Sequence, residues 1–275
     1  MSSKNKELEL IRSKKGFICD MDGVLYHGNK LLPLYHGNKL LPGVKEFVEW
    51  LKRENKKFLF LTNSSERTPR ELQEKMHRLG IDVDRSNFYT SALATATFLA
   101  SQKPKGSAYI IGEAGLINAL YNAGYTMNNI DPDYVVMGES RTYSYEKIEA
   151  AVNLVIRGAK LVGTNPDTSG PVEHGIAPAT KALIAPIEIA TGRSAYYVGK
   201  PNPLMMRIAL KKLGIVREDS IIIGDRMDTD IIAGIESEID TVLVLSGITS
   251  KELINDFPYR PKHVLEGIQS IMKGL

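Results

Sequence analysis

The sequence predicts an α/β protein with mostly parallel sheets, on three observations. Short apolar runs alternate with helical stretches along most of the chain, several of those runs stop abruptly at an aspartate, asparagine or lysine, and the alternation resumes after a middle block. That block, placed at residues 104–194, reads as a domain inserted into a core formed by 1–103 and 195–275.

Taken in order, "GFICD" is an apolar run with the length of a buried strand, and it ends in "DMDG". Val44, Phe47, Val48 and Leu51 recur at i, i+3, i+4 and i+7, the stripe of an amphipathic helix. "KFLFLTN" is a second buried strand. Thr68-Pro69-Arg70-Glu71 supplies an N-cap, a proline at the first helical position and a glutamate at the third, above Leu72, Met76 and Leu79, and Gly80 ends that helix. "NFYTSALATATFLASQ" reads as a strand feeding a helix, and "KPKGS" has the composition of a linker. A new series then begins with "AYIIGEAGLINALYNAGY" and continues through "DYVVMG", a helix near 145–157, "KLVGTN" and a helix over 179–191. "YYVGKPNP", a helix near 204–213, "SIIIGDRMDTD" and "DTVLVLSG" complete the alternation.

Composition narrows the function. With 43% hydrophobic and 24% charged residues the chain is an ordinary globular protein, and 275 residues suffice for a full core. A formal charge of +3 without a long basic run argues against a nucleic-acid polymer as partner and leaves small anions open. The single cysteine, Cys19, excludes an internal disulfide framework and suits a reducing compartment. The charged start lacks the apolar stretch of a secretory signal, and no run approaches the length of a membrane span, so a cytoplasmic location is expected with no membrane partner.

Ligands of open α/β sheets bind at the carboxyl ends of strands. The polar residues that end these runs are Asp20 and Asp22, Thr62 and Asn63, Lys200, and Asp225 with Asp230. Singly each is commonplace: a solvated turn, a cap, a surface lysine. Together, Asp20 and Asp225 suit a hard cation such as Mg²⁺, while a lysine and a hydroxyl with nearby backbone N–H groups would cradle phosphate oxygens. Asp20, closest to its strand end, fits a carboxylate nucleophile that forms an aspartyl-phosphate, and Asp22 fits the acid/base.

The ordered set "DMDGV", "LTN", "GKPNP" and "GDRMDTD" resembles the four motifs of the haloacid-dehalogenase-like phosphatases over almost the whole chain. The middle block, with "DYVVMGESRTYSYEKI" and "GTNPDTSGP", resembles the C2-type cap of the NagD-like branch. The resemblance implies a parallel-sheet Rossmann-like core with an inserted α/β cap. It also implies Asp20 as nucleophile, Asp22 as acid/base and donor of a backbone carbonyl to Mg²⁺, Thr62 and Asn63 as phosphate binders, and Lys200 as the stabilising lysine. Asp225 becomes a metal ligand, with Asp230 supporting the metal shell.

The cap loop "NPDTSGPVEHGIAPATKAL" makes Asp167, His174 and Lys181 specificity candidates. The expected partner is a small phosphorylated metabolite, a nucleoside monophosphate such as UMP or GMP first, acted on by a monomer or homodimer. Sugar phosphates, pyridoxal phosphate and phosphoglycolate compete, because the chain has "PATK" where family members often carry a glycine-rich "PGTG"-like stretch. From other classes, a receiver module is too short to match and lacks a cap, and a catalytically silent phosphate-binding protein remains an alternative.

One feature is surplus to that pattern. The nonamer at 25–33 is repeated unchanged at 34–42, where one copy would complete a β-hairpin flap after the first aspartates. Gly-Asn at 28–29 or 37–38 is good hairpin-turn chemistry, so either copy could pair as the flap while the other bulges. The duplication is recent or made by hand. It reads either as a tolerated loop or as an enlarged flap whose leucines pack on the cap or form a self-association surface.

Overall fold

The computed structural model describes residues 3–27, 39–172 and 175–274. The chain runs α1 (Ser3–Ser13), β1 (Gly16–Asp20), β2 (Tyr26–His27), β3 (Lys39–Leu40), α2 (Val44–Arg53), β4 (Lys57–Thr62), α3 (Pro69–Arg78), β5 (Phe88–Thr90) and α4 (Ser91–Gln102). It continues with β6 (Ser107–Ile111), α5 (Ala114–Asn122), β7 (Thr126–Met127), β8 (Tyr134–Met137), α6 (Tyr145–Ile156), β9 (Lys160–Gly163), β10 (Ser169–Val172), β11 (Gly175–Pro178) and α7 (Thr180–Thr191). The last part is β12 (Tyr196–Tyr197), α8 (Pro203–Leu213), β13 (Ser220–Gly224), α9 (Ile232–Glu236), β14 (Asp240–Val244) and β15 (His263–Leu265). It is a mixed α/β fold with parallel sheets.

Two compact units form: Met1–Thr62, Gln73–Phe88 and Met206–Leu275 make the first, Asn63–Leu72 and Tyr89–Met205 the second. The first is built on a sheet in the order β15-β14-β13-β1-β4-β5. Strand β1 lies parallel between β13 and β4, and the apolar runs that predicted these strands are buried. The stripe of α2 behaves as its spacing requires: Val44, Phe47, Val48 and Leu51 are buried. Phe17 meets Phe47 and Trp50 edge-on at 6.0 and 5.5 Å, an arrangement that adds to the area each ring buries.

Helix α1 forms in the charged N-terminal stretch, for which the sequence reading named no element. Among its described side chains, the apolar residues buried are Leu8 and Ile11, too few for a periodic signal, and the helix is tied down by partners distant in sequence. Arg12 Nε donates to the Ile271 carbonyl at 2.8 Å, and Glu7 sits 2.9 Å from Nδ1 of the buried His263.

The flap also departs from expectation. Strand β2 comes from the first copy of the nonamer and β3 from the second, with Tyr26 opposite Leu40 and His27 opposite Lys39. Neither copy forms the hairpin alone. Because the copies are identical, crossing between them keeps the same Tyr–Leu and His–Lys pairs that one copy would make about its Gly-Asn. Both candidate turns, 28–29 and 37–38, lie outside the described residues, as do Leu31, Leu32 and Leu34 of the extra segment; Leu40 pairs with Tyr26 in β3 and Leu41 is buried, its N–H donating to the Leu25 carbonyl at 3.0 Å.

The second unit carries a parallel sheet in the order β12-β9-β8-β6-β7. Its core joins Ile111, Val135 and Met137 of the sheet to Leu154 and Val155 of α6 and Ile184 and Ile187 of α7. The stretch read as a linker is a tight turn between α4 and β6, with Lys105 at φ 55°. The capping box at α3 forms: Glu71 accepts from the Thr68 N–H at 2.7 Å, and Thr68 Oγ1 accepts from the Glu71 N–H at 3.3 Å.

Candidate active site

Register brings the acids of the first unit together. Asp20 lies opposite Leu61 at the end of β1, so Thr62 projects one residue beyond it; Cys19 lies opposite Ile223, which sets Asp225 one residue past Asp20 on the other side. After β13 the chain makes a wide π-type turn, Met227–Ile231, which returns Asp230 to the same edge. Carboxylate oxygens of Asp20, Asp225 and Asp230 all lie within 4.8 Å of one another.

Two of these acids are deeply held, Asp225 at 3% exposure and Asp230 at 1%. Asp225 Oδ2 accepts from the Ile248 N–H at 2.7 Å, and Asp230 Oδ2 accepts from the Arg226 N–H at 3.1 Å. Gly23, at φ 78°, and Gly247 flank Asp225 so closely that a Cβ on either would strike its carboxylate; Gly224 stands in the same relation to Asp230. Like charges at this spacing repel, and a divalent cation relieves the repulsion, so the all-oxygen donor set fits Mg²⁺. Burial, and then the Asp20 charge, push the Cys19 thiol far above its ordinary range.

The second unit holds another set of polar groups. Asn63 follows Thr62 directly in the chain, and its side chain is fully engaged. Its Nδ2 donates to the Lys200 carbonyl and to Asp167 Oδ2, each at 3.0 Å, and its Oδ1 accepts from the Lys200 N–H at 2.8 Å. Lys200 is buried at 3% exposure. The Lys181 N–H donates to the Asp167 carbonyl at 3.0 Å, which ties the start of α7 to the loop after β9.

The family described as haloacid dehalogenase-like hydrolase matches residues 17–126, and a second HAD-hydrolase-like family matches 197–271. A dihydroxyacetone phosphatase of Corynebacterium glutamicum is 44% identical over 93% of this chain and 90% of its own. The chain belongs to the haloacid-dehalogenase-like hydrolases. Among these hydrolases it is similar to the ribonucleotide monophosphatase NagD of Escherichia coli K12, 40% identical over 94% of this chain and 98% of that one. The solved NagD structure covers 93% of this chain and 97% of its own with a TM-score of 0.84. A 4-nitrophenylphosphatase from Thermotoga maritima, 31% identical, reaches 0.89 over 96% and 98%. These likenesses make the protein a NagD-like phosphoric monoester hydrolase.

Within this hydrolase, the residues expected from sequence fall into the two sets just described, except Asp22 and His174. Asp20, Asp225, Asp230 and Thr62 share one strand edge of the first unit. Asp22 is exposed, beside the turn into the flap, and its carboxylate is not among the three that converge. Asn63, Asp167 and Lys200 are joined by hydrogen bonds in the second unit, Lys181 is exposed with its backbone on Asp167, and His174 lies outside the described residues. Sequence reading missed Asn165, which donates to the Asn63 carbonyl, and Glu139 and Ser65, which are linked to it through Asn165. A signal existed: Thr164-Asn165 ends an apolar strand as Thr62-Asn63 does, and Glu139 stands two residues past the end of β8.

Proposed function

We propose that this hydrolase cleaves small phosphate monoesters through an aspartyl-phosphate on Asp20, with Mg²⁺ as cofactor. The convergence of Asp20, Asp225 and Asp230 at one strand edge carries the reading. Asp20 and Asp225, with the carbonyl of Asp22 and with Asp230 in support, would hold the ion, which when bound supplies positive charge against the phosphate oxygens. Asp20 attacks phosphorus while the ester P–O bond breaks, and Asp22 gives its proton to the leaving oxygen. Asp22 then takes a proton from the incoming water, whose oxygen attacks phosphorus and releases Asp20 and inorganic phosphate.

Thr62, Asn63 and Lys200 bind the phosphate oxygens. Residues 104–194 act as the specificity domain, with Asp167, His174 and Lys181 facing the variable part of the substrate. The substrate class is nucleoside monophosphates, UMP or GMP first, supported by the likeness to NagD. A second reading, a triose phosphate, is favoured by the relative from Corynebacterium glutamicum.

The test is phosphate release from UMP, GMP, dihydroxyacetone phosphate, sugar phosphates, pyridoxal phosphate and phosphoglycolate, with Mg²⁺ and with EDTA. Release that EDTA abolishes and that Asp20→Asn loses is expected. Full turnover in EDTA would sink the metal role, and full turnover by Asp20→Asn would sink the nucleophile.

A further inference from the structure

We infer that Glu139 is a positioning residue for this hydrolase: it orients Asn63 and, through Asn63, the backbone of Lys200. The inference rests on the reading of Asn63 and Lys200 as phosphate-binding groups. Glu139 stands just past β8 in the inserted block, and its two oxygens face different neighbours. Oε2 accepts from the Ser65 N–H at 3.1 Å and from Ser65 Oγ; Oε1 accepts from Asn165 Nδ2 at 2.7 Å.

The orientation of Asn165 is set by its own partners. Its Oδ1 accepts from the Asp167 N–H at 3.1 Å, so Nδ2 is left to donate, to Glu139 and to the Asn63 carbonyl at 2.8 Å. Asn63 then closes the ring onto the Lys200 N–H and carbonyl and onto the Asp167 carboxylate. Ser91 Oγ donates to the same Asn63 carbonyl at 2.5 Å.

Donor and acceptor roles allow only one solution here. Both oxygens of Glu139 face N–H donors, so a carboxylate satisfies both and a glutamine in either flip sets N–H against N–H. Ser65 and Asn165 have no exposure at all, so water cannot relieve the mismatch. The approach is also built into the backbone: a Cβ at Gly138 would collide with Ser65 Oγ, and one at Gly199 would sit 2.7 Å from Asn63 Oδ1. Glu139 touches no group proposed to bind phosphate; it acts through Asn165 and Ser65.

The experiment compares Glu139→Gln, Asn165→Ala and the double variant with the parent, in full-length protein, by kcat and KM for phosphate release, Mg²⁺ half-saturation and melting temperature. Glu139→Gln is expected to lower kcat about 10- to 100-fold, as misplacement of a positioned group does. KM should change less than kcat, and Mg²⁺ half-saturation should stay put, because none of the three converging aspartates belongs to the ring. The double variant should be no worse than Asn165→Ala alone, within about twofold. A folded Glu139→Gln with parental kcat overturns the inference, and so do additive losses.

Should Glu139→Gln not fold, Glu139→Asp decides: one methylene too short to reach both neighbours, it loses kcat if the inference holds and keeps it if not. Asn63→Ala and Lys200→Met separate the two levels. If both turn over like the parent, the phosphate-binding reading has failed; if both are dead while Glu139→Gln is fully active, only the positioning role has.

Discussion

Replacing Gly247 by alanine tests the proposed cation site through a residue that carries no chemistry itself. The added Cβ would overlap Asp225 Oδ2 and Cγ and lie 2.5 Å from its Cβ, where ordinary contact begins at 3.4 Å. Asp225 must therefore retreat by about 1–1.5 Å, and a displacement of about 1 Å at a positioned group already costs on the order of 100-fold. Lost support around a metal ligand typically costs about 10- to 100-fold in affinity. Mg²⁺ half-saturation for phosphate release should rise by about that factor, while overpacking lowers stability by about 1–3 kcal/mol.

Gly124→Ala is the control. Its φ of 84° strains any side chain, with nothing within 4 Å for a Cβ to meet, so it should lose about 1–2 kcal/mol and leave the Mg²⁺ titration unchanged. A folded Gly247→Ala that titrates like the parent would refute the argument that these glycines shape the site around Asp225.

Other outcomes follow from the fold. Deleting 34–42 or 28–36 yields the same chain, keeps the Tyr–Leu and His–Lys pairs, and shortens the connection between them from eleven residues to two; by loop-closure entropy, urea unfolding should show a gain of up to about 1.5 kcal/mol, and a clear loss would mean the extra residues stabilise the fold. Asp240, although burial opposes ionisation, is held below the usual carboxylate range by Lys14 and Lys262, each 2.7 Å away. A lowered folded pKa contributes stability above the ordinary carboxylate range that disappears as pH falls through the folded value, so Asp240→Asn should destabilise by under about 1 kcal/mol at neutral pH and converge with the parent in acid. An equal deficit at every pH would refute the ionic account. Phe47→Ala, emptying a fully buried site against Phe17 and Trp50, should cost about 3–5 kcal/mol in the same unfolding assay, and a cost near that of an exposed residue would contradict the packing.

The core strands and most helices were legible because their signals are local. "GFICD", "KFLFLT" and "SIIIG" are apolar runs of strand length, and the spacing of Val44, Phe47, Val48 and Leu51 is a helix written in four residues. The carboxyl-end rule then selected Asp20, Thr62 and Asp225 without coordinates, since parallel strands in register place their terminal residues side by side.

Tertiary structure alone decided the rest. Helix α1 forms on two inward residues and on partners more than 250 positions away, Arg12 with the Ile271 carbonyl and Glu7 with His263. The flap pairs one strand from each nonamer, a choice that identical sequences cannot encode. The ring around Asn63 joins residues 137 and 102 positions apart, so Glu139 and Asn165, at the ends of β8 and β9, show their part only when folding brings those strand ends to Asn63. By itself, then, the sequence determined which segments become buried strands and helices and which acids end them, because hydrophobic periodicity acts over a few residues. The orientation of those end groups rests on hydrogen bonds between distant segments, and such bonds exist only once the chain has folded.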